Sequence, residues 1–315
     1  MKERHIIEQL LMPLASSPWA LGLRDDAAYL PSLPHGIVIT TDMLQEDIHF
    51  LRTGTPAQIA HKALAVNLSD LAAMGAQPHS YQLALALTDA QDEAWLRAFC
   101  AALEAQHQRY TIALTGGDII RASPRLTLSI TAMGCTDTPL LRSNARIGDG
   151  IYVTGTIGDA ALGLHHARGD VHLPEPYASY VVERYWYPSP RLSMGIALRH
   201  YATSAMDISD GLMVDMRKLC DASSVGARLY YDLLPLSAAG HYAQRHHAQL
   251  WQHCYSAGDD YELLFTMPTL YEADVRALCP DVAITSIGEV VCDASVMLLD
   301  ANGAAINPHY AGYEH

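Results

Sequence analysis

The sequence predicts an α/β (α+β) protein of two domains, with helices packed on mixed or antiparallel sheets. Three observations carry that expectation. Half of the 315 residues are hydrophobic, more than one compact core comfortably holds. Period-two segments alternate with amphipathic helical patterns, and no strict repeat or low-complexity tract interrupts them. Midway, Thr136 to Gly150 holds Pro139, Asn144, Gly148 and Gly150 with little apolar periodicity, as expected of a connection. The division is a first domain over 1–137, a connection over 138–150 and a second domain over 151–315.

Gly36 to Ile39 reads as a strand. Ala60 to Met74 reads as a helix with Leu64, Leu68 and Leu71 on one face, stopped by Gly75 and Pro78. A second helix is expected from Asp92 to His107, with acids in its first turn and Trp95, Phe99 and Leu103 as its buried stripe. Strands follow at Thr111 to Leu114 and Leu126 to Met133. In the latter, Leu126, Leu128, Ile130 and Ala132 alternate with Thr127, Ser129 and Thr131, the pattern of a half-buried strand in an antiparallel sheet. The second domain opens with a strand at Ile151 to Thr154 and a helix at Asp159 to Leu164, then a loop-rich region through Pro188 and Pro190. Ala205 to Ile208 reads as a strand turning at Ser209-Asp210-Gly211 into a helix striped by Leu212, Met216, Leu219 and Cys220, with Ser209 or Asp210 as its cap.

With 34 acidic against 20 basic residues the formal charge is −14, which disfavours nucleic acid and anionic membrane as partners, and means that anionic substrates need cations to approach. Met1 to Leu14 carries Glu3 and Glu8 without a signal-type apolar core, and no apolar run approaches the roughly 18 residues of a membrane span, so a soluble cytoplasmic protein is expected. The six cysteines are widely spaced without a C-x-x-C pair, as reduced thiols are. Neither His165-His166 nor His246-His247 has the spacing of a helical zinc site.

The residues that point to chemistry are carboxylates where strands end and turns begin. They fall in Arg24-Asp25-Asp26-Ala27, Thr40-Thr41-Asp42, Asn67-Leu68-Ser69-Asp70, Thr115-Gly116-Gly117-Asp118 and Asp207-Ile208-Ser209-Asp210-Gly211. The i, i+3 spacing puts Asn67 and Asp70 on one small polar helix face suited to a ligand. Two glycines before Asp118 suggest a turn whose N–H groups meet an anion. Any one of these is an ordinary turn or cap aspartate. Together, hard oxygens without histidine or cysteine are what magnesium selects, and magnesium binds through few carboxylates plus substrate phosphates. No Walker or protein-kinase signature is present, so a nucleotide site would be of another kind.

These segments, with the block Lys62 to Ala76, Tyr152-Val153-Thr154-Gly155 and Asp259-Asp260-Tyr261-Glu262-Leu263, resemble in order and spacing the thiamine-monophosphate kinase family, within the superfamily of aminoimidazole-ribonucleotide synthetase and selenophosphate synthetase. The resemblance spans the chain from about Ile6. It implies a two-domain aminoimidazole-ribonucleotide synthetase-like fold, a homodimer joined through amino-terminal sheets, and an amino-terminal domain that binds ATP and magnesium. It further implies that Asp26, Thr40, Thr41, Asp42, Asp70, Asp118, Asp207 and Asp210 hold several magnesium ions, with Asp118, Asp207 and Asp210 the expected catalytic set. Gly116, Gly117, Arg142 and Ser209 are the implied ATP contacts. His49, Asp259 and an aromatic at Tyr310 or Tyr313 are the implied contacts to thiamine monophosphate; a monovalent cation is a further candidate cofactor. The family's usual Gly-Ile-Gly-Asp-Asp stands here as Gly22-Leu23-Arg24-Asp25-Asp26, and its Gly-Gly-Glu-Asp as Ala257-Gly258-Asp259-Asp260.

The expected reaction is direct in-line transfer of the γ-phosphoryl group of ATP to thiamine monophosphate. An acceptor phosphate with a second pKa of about 6 is already ionised near neutrality and needs no strong base. Two alternatives stand beside it: a superfamily enzyme that makes an acyl-phosphate or iminophosphate intermediate, and a nucleotide-binding scaffold without catalysis.

Overall fold

The computed structural model describes residues 3–23, 35–121 and 124–306. The chain divides into two units, residues 1–71 with 76–137, and residues 72–75 with 138–315.

In the first unit, short helical turns over residues 3–23 precede β1 (Ile37–Gln45), α1 (Pro56–Ala73), β2 (Gln77–Leu87), α2 (Glu93–Tyr110), β3 (Ala113–Arg121) and β4 (Thr127–Cys135). The sheet order is β1-β4-β2-β3. Only β2 and β3 pair in parallel, and α2 supplies the crossover that a parallel pair requires. β4 alternates as its sequence predicts: Leu128, Ile130 and Ala132 are buried, and Thr127, Ser129 and Thr131 half-buried.

Several boundaries differ from expectation. β1 runs on to Gln45 because β4 pairs with it along its whole length, from Ile37 opposite Cys135 to Gln45 opposite Thr127. Thr40, Thr41 and Asp42 therefore lie inside a strand, not after one. The Gly116-Gly117 pair is likewise inside β3, where a turn was expected. The register slips at Tyr81/Gln82, leaving Thr115 as the extra residue of a bulge. A Cβ on Gly117 would stand 1.9 Å from the Leu83 carbonyl oxygen, so the glycine permits close strand approach.

α1 is buried nearly all round, including Lys62, Asn67 and Ser69, where a single leucine stripe was expected. α2 is capped by Asp92, whose carboxylate accepts from the Trp95 N–H at 2.8 Å. Its buried stripe is Leu96, Phe99, Cys100, Leu103 and Gln106; Trp95 is only half-buried and stacks on Phe99 with ring centroids 5.1 Å apart.

The second unit contains β5 (Gly150–Thr154), α3 (Asp159–Arg168), α4 (Tyr177–Trp186), α5 (Leu192–Leu198), β6 (Ser204–Asp207), α6 (Leu212–Ser223), β7 (Gly226–Tyr230), α7 (Ala238–His246), α8 (Ala248–Cys254), β8 (Leu263–Met267), α9 (Glu272–Leu278), β9 (Ile284–Val291), β10 (Val296–Leu299) and β11 (Ala305–Ile306). Its sheet runs β11-β10-β7-β9-β5-β8-β6, antiparallel throughout except for β10 beside β7. β5, β6 and β8 are buried at every position, with apolar clusters against both sheet faces. The region read as loop-rich holds α4, and α5 follows just beyond Pro190. The helical period of α4, Ala178, Val181 and Tyr185, is hidden among Pro174, Pro176, Pro188 and Pro190. Among the described residues, no helix is long and apolar enough to cross a membrane.

Candidate active site

Strand alternation in the first unit separates the Thr40-Thr41-Asp42 triplet. Thr40 and Asp42 pair with the buried Ala132 and Ile130 on the α1 side of the sheet. There the Thr40 hydroxyl donates to the Asp70 carboxylate, and the Asp42 N–H donates to Asn67 Oδ1 at 3.1 Å. Asn67 also donates to the Ala63 carbonyl at 3.0 Å. A fully buried amide engaged at both ends ties α1 to β1, so Asn67 serves as a brace, and the carboxylate left half-buried on this helix face is Asp70.

Thr41 points to the other, open face, where its hydroxyl meets that of Thr131 at 2.9 Å. Asp118 is exposed, lies opposite Ala84 and shares a face with Ile120, while the neighbouring Ile119 and Leu85 are buried. It is thus on the face of Thr41, away from Thr40 and Asp42, and three strand spacings from β1, roughly 14 Å. Its carboxylate accepts from the Ile119 N–H at 2.9 Å. The first unit brings together Thr40, Asp42 and Asp70 and leaves Thr41 and Asp118 outside that group. His49, just beyond β1, is turned back on the strand and accepts from the Gln45 N–H at 3.0 Å. Asp26, Tyr310 and Tyr313 lie outside the described residues.

In the second unit Asp207 ends β6 opposite Leu263 and is buried. The following turn is organised by a residue that the sequence reading missed. Asp215, fully buried in α6, accepts from the N–H groups of Ser209, Asp210 and Gly211, each at 3.0 Å. This replaces the expected cap by Ser209 or Asp210: the carboxylate inside the first helical turn reaches back to N–H groups that have no helical partner. Its sequence signal was an acid four residues after a glycine that opens a helix. Burial pushes the Asp215 pKa up, and the Lys218 ammonium, 2.8 Å from Oδ1, pulls against it. Lys218 also pairs with the Asp210 carboxylate, so that predicted ligand already faces a cation of the chain itself.

Asp259 is held beside this turn. Its N–H donates to the Ser209 carbonyl and that of Tyr261 to the Ile208 carbonyl, both at 2.9 Å. Asp260 is buried and accepts from the Gly158 and Ala160 N–H groups, at 2.7 and 3.4 Å, at the start of α3. Burial raises its pKa well above the usual carboxylate range, against those N–H groups. Arg142 is exposed in a turn whose carbonyl accepts from Ser223 Oγ at 2.6 Å. The Arg142 turn is thus held at the C-terminal end of α6, and the Leu141 carbonyl beside it accepts from the Ala205 N–H of β6 at 3.3 Å. Among the described residues, no group of three or more His, Cys, Asp or Glu side chains is placed to hold a metal ion.

Residues 24–136 match the AIR synthase related protein, N-terminal domain, and residues 146–298 match its C-terminal domain. The chain is 41% identical over 301 residues to a thiamine-monophosphate kinase of Escherichia coli strain K12, covering 94% of this chain and 91% of that one. Thiamine-monophosphate kinase from Stenotrophomonas maltophilia K279a superposes with a TM-score of 0.83 at 36% identity, covering 94% of each chain. The structure of AaThiL complexed with AMPPCP and TMP gives 0.78 at 29% identity, covering 91% of each. Matched along nearly its whole length in sequence and in fold, the chain belongs to the thiamine-monophosphate kinase family, built from the two AIR synthase related domains.

Proposed function

We propose that this chain transfers the γ-phosphoryl group of ATP to thiamine monophosphate, giving thiamine diphosphate. The observation that carries the reading is the full-length likeness to thiamine-monophosphate kinases, one solved with AMPPCP and TMP bound. The acidic segments recognised in the sequence lie within the matched residues.

Magnesium fits the groups present. Thr40, Asp42 and Asp70 offer only hard oxygens, and an ion that binds partly through phosphates needs no all-protein cage of three carboxylates. Thr41, Asp118, Asp207 and Asp210 are the further proposed ligands, with Asp26 another outside the described residues. The ions would neutralise phosphate charge, which a chain of net charge −14 cannot do unaided. Ser209 and Gly117 would meet the nucleotide, together with Gly116 and the guanidinium of Arg142. His49 and Asp259 would hold thiamine monophosphate, with Tyr310 or Tyr313 against its cationic ring. Positioning then does the catalysis, in line and without a covalent intermediate.

The reading includes a homodimer. Ile39 and Met43, 62% and 64% exposed, project from β1 on the face that bears Thr41, and Ile120 and Asp118 project from the same face of β3. Two such faces joined would bring Thr41 and Asp118 to one boundary, on the side of the sheet opposite Thr40, Asp42 and Asp70. A cytoplasmic location is part of the same proposal.

The test is ADP release with thiamine monophosphate, ATP and magnesium, in potassium and in sodium salts, with formylglycinamidine ribonucleotide as the rival acceptor. Turnover is expected only with thiamine monophosphate. Asp207→Asn and Asp118→Asn should each lower kcat by about a hundredfold or more while the folded spectrum is retained, because a charged ligand is lost with little change in volume. Near-normal turnover in both variants would remove the metal assignment. Tight nucleotide binding without any thiamine-dependent turnover would establish the scaffold instead.

A further inference from the structure

The segment that carries Asp259 is under strain. Asp259 and Tyr261 sit at φ +75° and +52°, in the left-handed region that bulky side chains avoid. Gly258 is pressed on the neighbouring turn so closely that a Cβ there would stand 1.9 Å from the Ser209 carbonyl oxygen. Backbone in such a conformation persists only where its surroundings over-determine it.

Two anchors over-determine it: Asp260, held by the Gly158 and Ala160 N–H groups, and Glu262, the next residue after Tyr261, fully buried at the entrance to β8. Arg191, just before α5, grips both carboxylate oxygens of Glu262, Nε to Oε2 at 2.6 Å and Nη2 to Oε1 at 2.5 Å. Arg184 of α4 adds Nη2 to Oε1 at 2.8 Å, and the Thr154 hydroxyl donates to Oε2 at 2.6 Å. That hydroxyl also accepts from the Leu263 N–H at 2.8 Å, locking the side chain to the strand that follows. Gly155 leaves room for the carboxylate: a Cβ there would lie 2.3 Å from Oε1. Neutralising one buried carboxylate needs a single cation; a two-pronged guanidinium, a second arginine and a hydroxyl fix its orientation as well. The adjoining Ser209–Gly211 turn is bonded to this segment through Asp259, Tyr261 and Glu262, and has a further anchor of its own in Asp215.

We propose that Arg184, Arg191 and Glu262 form a clamp that positions the 258–261 segment, and so the Asp259 side chain, for the thiamine-bearing substrate. The proposal rests on the role given above to Asp259. These three are positioning residues: they act through Asp259 and touch no reacting atom. Because the nucleotide-side turn keeps its Asp215 anchor, releasing the clamp should disturb the thiamine-bearing substrate far more than the nucleotide.

The experiment compares Arg191→Gln, Arg191→Lys and Asp259→Asn with the unaltered enzyme. It measures KM for each substrate, thermal midpoint, and amide exchange of the 257–262 segment. In Arg191→Gln, KM for thiamine monophosphate should rise by about tenfold or more, KM for ATP should stay within about twofold, and exchange of 257–262 should accelerate. Arg191→Lys should behave alike, because it keeps the charge and loses the fork. Restoration by lysine would mean that a positive charge beside Glu262 suffices without the two-pronged grip, and would overturn the clamp. So would unchanged exchange, or both KM values moving together with a lower thermal midpoint. A normal thiamine-monophosphate KM in Asp259→Asn overturns the role of Asp259 itself, and faster exchange in Arg191→Gln would still uphold the clamp on the segment.

Discussion

At the scale of single residues, the chemistry legible in the sequence was the identity of the carboxylates, and what was hidden was their neighbours. Asp42 and Asp70 could be picked out from one-dimensional context; that Asn67 braces them and Lys218 faces Asp210 could not, because those contacts join positions that no local period relates. His107 shows the same limit. It is half-buried in α2 with Nε2 2.7 Å from the Tyr81 hydroxyl, and desolvation lowers its pKa to about 4. The sign follows from linkage: above pH 6.5 the ring is neutral in both states and its contribution is intact, and as pH falls from 6.5 towards 4 the unfolded chain takes up a proton that the folded one refuses. The wild type should therefore lose on the order of 2 kcal/mol more stability than His107→Gln over that interval, after allowance for partial exposure. Denaturant midpoints of both proteins between pH 7 and pH 4.5 check this, and parallel curves would contradict it.

At the scale of elements, α2 and β4 were readable because a period of 3.6 or 2 was written in their apolar residues, and β5 as a short apolar run after a glycine. β1 was read short because its threonines were weighed as chemistry and not as β-branched strand formers. α4 was missed because prolines on either side dominated its local pattern. α6 owes its start to Asp215, and removing that carboxylate strands three N–H groups and leaves Lys218 with one partner fewer. Asp215→Ala should cost about 3 kcal/mol, and Asp215→Asn, which keeps an accepting oxygen, roughly half as much. Urea unfolding of the two variants measures the difference; equal losses would mean that charge, not acceptance, holds the turn.

At the scale of the whole molecule, the open face of the first sheet sets the strongest expectation. Apolar residues as exposed as Ile39 and Met43 call for a partner surface, and the face also carries Asp118. Ile39→Asp should halve the mass measured by sedimentation and depress kcat, while Ile48→Asp, an exposed control beyond β1, should leave both near normal. An unchanged mass in Ile39→Asp would refute this face as the interface. The sequence by itself determined the family, the α/β class, the two-unit plan and the list of acidic segments, because composition, period and motif order are properties of one dimension. Only the tertiary structure decided which sheet face each aspartate occupies, that Gly116-Gly117 lies within a strand, and that Asp215, Arg184, Arg191 and Glu262 hold the loops in place. Those outcomes depend on strand register and on burial of charges far apart in the chain, where a shift of one residue reverses a face and no local pattern records the partner.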